Sequence, residues 1–126
     1  MNFPENLKYT KDHEWLLIEG DNATIGITDF AQSELGDIVY VDVDTEGEEV
    51  TGGEPFGSIE AVKTVSDLIT PVDIEVLELN EALDDEPELV NSDPYGEGWI
   101  IKARLIDAAD TAELLTAEEY RKLIQK

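Results

Sequence analysis

Apolar and polar residues alternate along much of this chain, and a period of two predicts strands. Residues 38–43 and 74–79 carry the alternation most clearly, as a strand with one buried face requires. Residues 14–18 and 22–28 are short apolar runs joined by Glu19-Gly20-Asp21, a link with the composition of a hairpin turn. Extended runs at 55–62 and 65–70 lie on either side of Lys63, Pro71-Val72 follows, and 98–105 is a last strand. The two runs flanking Lys63 read as variants of one supersecondary unit. That places the lysine at a hairpin tip, where a side chain projects into solvent and is offered to other proteins.

Helical spacing is confined to short pieces. Over 28–36, Thr28 is a capping residue, Phe30, Ala31 and Leu35 share a face, and Gly36 ends the turn. The segment 80–93 is acidic and interrupted by Pro87, with Pro94 just beyond, so an irregular excursion with one helical turn at 81–83 is expected. The tail changes period: 111–115 and 116–124 read as helices, with Thr116 and Glu119 spaced as a capping box. Leu114, Leu115, Tyr120, Leu123 and Ile124 are expected to cover one end of the sheet. A mostly β, single-domain chain over 1–126 with C-terminal helices at about 111–125 follows.

Charge changes this picture. Eight Lys and Arg stand against 31 Asp and Glu, a net charge of −23, and such a surface repels phosphate backbones and anionic lipid. Nucleic acid and membranes are poor partners for it, and basic protein surfaces are good ones. From Asp12 to Ile101 the only cation is Lys63, against 25 Asp and Glu. A surface segment normally mixes both signs, so this amine is singled out, although an ordinary surface lysine left behind by a drift to acidity has the same composition.

No apolar run reaches the roughly 18 residues of a membrane span, and 1–9 lacks the apolar stretch of a signal peptide, so a soluble, cytoplasmic, monomeric protein is expected. With no cysteine, disulfides, thiolate metal sites and thiol nucleophiles are excluded, and any sulfur chemistry must come from an attached group. The single histidine, His13, gives no multi-histidine metal site and reads as a packed or hydrogen-bonded residue at an element end. No glycine-rich phosphate loop is present. The run from Asp42 to Glu48 imitates the opening of a calcium loop with Gly47 at the sixth position, but its twelfth position is Gly53 where a bidentate Glu is needed. A solvated acidic turn is the favoured reading there, and no metal and no enzymatic activity are expected.

Ordered motifs along the chain carry a family resemblance. Tyr9-Thr-Lys-Asp-His-Glu-Trp15, Ile25-Gly-Ile-Thr28, Leu35-Gly-Asp37, Glu60-Ala-Val-Lys63, Ser66-Asp67, Pro71-Val72, Pro87-Glu-Leu-Val-Asn-Ser92 and Gly98-Trp99-Ile100 resemble the H proteins of the glycine cleavage system over nearly the whole length. The resemblance implies a biotinyl/lipoyl-type barrel-sandwich hybrid with short peripheral helices, and lipoic acid joined to Lys63 by an amide bond. It implies a non-catalytic carrier whose lipoamide arm takes an aminomethyl group from the pyridoxal-phosphate glycine decarboxylase (P protein) to the tetrahydrofolate-dependent aminomethyltransferase (T protein). Dihydrolipoyl dehydrogenase (L protein) then reoxidises the arm, and a lipoate ligase or lipoyltransferase attaches it.

Glu14 and Asp67 match the positions that contact the loaded arm, and an acidic pair suits a primary ammonium; both read equally as surface carboxylates. Ala61 departs from the family's usual Ser. Asp73-Ile74 replace a small residue and Gly, so a backbone that differs or is strained is expected there. A lipoyl carrier for another lipoate-dependent pathway is the alternative function. A biotin carrier is disfavoured because Val62 and Thr64, rather than methionines, flank the lysine.

Overall fold

The structure, a computed structural model, describes residues 3–107 and 114–124. Among these residues nine strands form two antiparallel sheets: β1 (Lys8–Tyr9), β2 (Glu14–Glu19), β3 (Asn22–Ile27), β4 (Ile38–Asp42), β5 (Glu49–Val50), β6 (Pro55–Ala61), β7 (Val65–Ile69), β8 (Ile74–Leu79) and β9 (Ile101–Leu105). Four described helices lie at the periphery: α1 (Asp29–Leu35), α2 (Ala82–Asp85), α3 (Leu89–Ser92) and α4 (Ala117–Ile124). The larger sheet runs β1-β2-β3-β9-β8-β5 and the smaller β4-β6-β7. Their facing sides enclose one core, the barrel-sandwich arrangement expected of the sequence.

Alternation decides which residues enter that core. On β9, Ile101, Ala103 and Leu105 are buried while Lys102 and Arg104 point outward, Arg104 onto Glu75 of β8 at 2.9 Å. On β2 successive residues serve opposite faces: Leu16 joins the main core, and Trp15 joins a second cluster with Phe3, Leu7, Tyr9, Ala117 and Tyr120. The β2–β3 hairpin closes through Gly20 at φ 64° with Asp21 outside the left-handed region, the pattern of a II′ loop.

Two expectations require correction and a third is narrowed. Of the two outcomes expected at Asp73-Ile74, strain is excluded: Ile74 is fully buried, opens β8 opposite Leu105 and does not have a positive φ. Asp73 instead accepts a 2.7 Å hydrogen bond from Gly52 N–H. The excursion at 80–93 holds two short helices, α2 and α3, each burying one apolar residue, Leu83 and Val90. In the tail, 111–113 lie outside the described residues, while Leu115 is extended and bridges Tyr9 in both directions at 2.8 Å. Leu123 is 48% exposed and covers nothing, whereas Tyr120 is fully buried.

Candidate functional site

Lys63 stands in the turn 62–64 between β6 and β7, closed by Ala61 N–H donating to Thr64 O at 2.7 Å. Val62 N–H donates to Asp37 O at 3.0 Å, which fastens the turn to the junction between α1 and β4. That junction is itself held. Thr28 caps α1 by accepting from Ala31 N–H, and Gly36 ends the helix at φ 84°. Asn91 of α3 donates to Gly36 O at 2.8 Å and to Gln32 Oε1 at 3.0 Å, and accepts from Ile38 N–H at 2.9 Å. The amide of one residue thus locks the helix end to the first residue of the next strand.

Lys63 packs close to the same glycine. A Cβ placed there would stand 3.3 Å from Lys63 Cε and 3.8 Å from Nζ, so the lysine stem lies across the helix end. Lys63 is exposed, and the ion pairs among the described residues, Arg104–Glu75 and Lys122–Glu118, leave it out. The turn that carries it is fastened, and the amine is exposed.

One residue from Gly36 begins a cleft of ≈ 210 Å³ between α1, β7 and the start of β2. Phe30, Ala31 and Leu35 of α1, with Ile27, Ile59 and Leu68, give it apolar walls. This explains why α1 has an apolar face yet buries no residue: the face lines an opening. Glu14 and Asp67, the two carboxylates singled out with Lys63, both line this cleft, but their environments differ. Asp67 is exposed on β7, whereas Glu14 is 2% exposed.

Glu14 Oε2 accepts from Ile69 N–H at 2.8 Å, and Oε1 is the one buried side-chain oxygen or nitrogen without a partner among the described residues. Burial pushes its carboxyl well above the ordinary carboxylate range, opposed by the Ile69 N–H and reinforced by Asp12. A larger recess of ≈ 500 Å³ lies between residues 9–12, 52–53, 69–72 and 114–115, but it is lined neither by α1, against whose end the lysine stem rests, nor by a buried unpaired group. The smaller cleft is therefore the site: an apolar channel beside an exposed amine, with a single unsatisfied acceptor in its wall. An unbranched apolar chain with a polar or cationic end fits those features.

Among the described residues no three His, Cys, Asp or Glu side chains converge to hold a metal, and Gly47 of the acidic turn is engaged through its N–H with Val76 O at 2.8 Å. No described helix is long and apolar enough to cross a membrane. Asn91 was not singled out by its sequence, since a lone Asn in an acidic stretch gives no signal of three converging hydrogen bonds.

The profile of the family described as Glycine cleavage H-protein matches residues 7–126. The chain is similar to a glycine cleavage system H protein of Bacteroides thetaiotaomicron, 59% identical over 124 residues covering 98% of each. It is 54% identical over 126 residues to the protein of that name from Geobacillus kaustophilus, covering 100% of this chain and 99% of the relative. Its fold matches the crystal structure of a glycine cleavage system H protein from Mycobacterium marinum with a TM-score of 0.86, 41% identity, and coverage of 95% and 97%.

Proposed function

The chain belongs to the glycine cleavage H-protein family, and from that membership we propose that it carries a lipoyl group on Lys63 within a glycine cleavage system. The observation that supports this most is local: Lys63 lies across Gly36 beside an apolar cleft whose one unpaired buried oxygen belongs to Glu14. When bound, the lipoyl group supplies a reversible disulfide that can take up a one-carbon amine and be reoxidised. This chain has no cysteine to exchange with it.

The protein's own contribution is holding and shielding. Residues 62–64 present the attachment point, the apolar walls exclude water from whatever lies between α1 and β7, and Glu14 with Asp67 would hold an ammonium end. The proposed partners are the glycine decarboxylase, the aminomethyltransferase, dihydrolipoyl dehydrogenase and a lipoate-attaching enzyme. In this reading residues 1–126 act as one carrier domain in the cytoplasm, and the reactions belong to the partners.

Intact-mass analysis and peptide mapping after incubation with lipoate, ATP and a lipoate ligase test the assignment. One lipoyl increment confined to Lys63, and none in Lys63→Arg, is expected. Folded wild-type protein without an increment, or with one elsewhere, overturns it. Glycine-dependent reduction of the loaded chain by the decarboxylase then separates glycine cleavage from another lipoate-dependent relay.

A further inference from the structure

His13, the one histidine of the chain, lines the same cleft, and its arrangement is more elaborate than a packing role needs. It is the only non-glycine residue at positive φ among those described, 68°, a conformation that persists where the surroundings enforce it. Its N–H donates to Thr10 O at 3.1 Å, and its carbonyl accepts from Thr28 N–H at 3.0 Å. The ring lies 5.0 Å from Phe30, with Nδ1 2.9 Å from the hydroxyl of Tyr120, which α4 brings from the far end of the sequence. Tyr120 is fully buried, and its hydroxyl lies 2.8 Å from Thr28 Oγ1, also fully buried.

Proton counting orders this chain of contacts. Thr28 Oγ1 accepts from Ala31 N–H, and its own buried hydroxyl proton has Tyr120 Oη as the acceptor beside it, so the pair is read with Thr28 donating. The single proton of Tyr120 is then left for His13 Nδ1. A ring that accepts at Nδ1 carries its proton on Nε2, across the ring from Tyr120. Burial also holds His13 below its ordinary value, against the pull of Asp12 and Glu34, which favours the neutral ring.

We propose that Tyr120 of the C-terminal helix is a positioning residue for the cleft, fixing His13 as a neutral Nε2–H donor toward its occupant. The identity of that occupant, an arm amide-linked to Lys63, rests on the carrier reading above. A neutral donor complements the Glu14 acceptor: it can hydrogen-bond a carbonyl or sulfur of the arm without repelling an ammonium, as an imidazolium would.

Because the chain has one histidine, long-range ¹H–¹⁵N spectra of the unmodified protein report this ring alone. The expected result is the Nε2–H tautomer in the wild type and mixed tautomers in Tyr120→Phe, which retains the ring stacked on Tyr9 at 5.0 Å and loses only the hydroxyl. An Nδ1–H tautomer in the wild type, or no change in Tyr120→Phe, overturns the proposal. In the lipoylated chain, occupancy of the cleft, read from the Ile69 amide, is expected to fall about two- to tenfold in Tyr120→Phe, the range for one net hydrogen bond. Unchanged occupancy also overturns it. If Tyr120→Phe does not fold, His13→Asn, which tolerates the left-handed backbone, is expected to give the same fall. A chain that accepts no lipoyl group yet has the expected tautomers defeats the carrier reading and upholds the positioning of His13.

Discussion

A buried carboxyl with one unpaired oxygen is an unusual thing for a chain this acidic to hold, and Glu14 sets the pH behaviour of the site. Burial raises its folded value, so the folded state binds this proton more tightly than the unfolded chain, whose value is near 4.5. The resulting stabilisation is complete below the unfolded value and is lost as pH rises through the folded one. Glu14→Gln keeps an acceptor for Ile69 N–H and removes the charge. At about pH 8 the variant, which has no proton to bind or lose, is expected to exceed the wild type in stability by at least about 1.4 kcal/mol, the equivalent of a tenfold difference in proton affinity between the folded and unfolded states. Near pH 4 the two should converge. Urea denaturation at both pH values checks this, and a gap independent of pH would show that Glu14 does not titrate on folding. At this scale the sequence marked Lys63 by its isolation, whereas Glu14 stood out only through family resemblance. Its neighbours Lys11 and Asp12 look like surface residues, and its burial arises because Thr10 folds the chain back, accepting from Asp12 and Glu14 N–H at 3.2 Å each.

Among the elements, α4 was well marked at its start and poorly marked just before it. Thr116 N–H donates to Glu119 Oε1 at 2.9 Å and Glu119 N–H to Thr116 Oγ1 at 3.2 Å, the reciprocal capping box that the spacing predicted. Thr116→Ala is expected to cost about 0.5–2 kcal/mol in thermal or urea unfolding. Loosening α4 should also shift the His13 tautomers toward those of Tyr120→Phe, and a variant that loses stability with an unaltered imidazole spectrum would place the strain elsewhere. The leucines ahead of the cap, Leu114 and Leu115, have helical propensity, yet Leu115 takes the free edge of Tyr9, a tertiary choice that local preference cannot report. Ile74 shows the converse. Comparison with a glycine left strain open there, but the alternation of Ile74 and Val76 had already placed both side chains in the core. Gly26 shows how closely the second cluster is built: a Cβ there would meet the Trp15 ring at 2.7 Å, while Trp15 Nε1 donates to Pro94 O at 2.9 Å. Gly26→Ala is therefore expected to destabilise by about 1–3 kcal/mol through overpacking, read as a lowered denaturant midpoint.

For the molecule as a whole, a net charge of −23 is a statement about encounter. Around the lysine turn Glu34, Asp37, Glu60 and Asp67 are all exposed, and amidation of Lys63 would remove the one cation among them. A partner that must reach this end should carry a basic rim, and its association should be steered electrostatically. Screening sharpens the prediction, since the Debye length is about 8 Å at physiological ionic strength and about 3 Å at 1 M salt. At subsaturating carrier, turnover with each partner is expected to fall steeply with salt, while the rate at saturation changes little. Position should matter as well as number. Glu19 lies five residues along β2 from Glu14, about 17 Å at the rise of a strand, so Glu19 and Asp21 sit beyond the screening distance from the cleft. Neutralising Glu34 and Glu60 to Gln should lower the apparent association rate several-fold and flatten its salt dependence; neutralising Glu19 and Asp21 should do neither. Equal effects from the two pairs would mean that partners respond to total charge, and a salt-independent rate would remove steering from the account of how this carrier finds them.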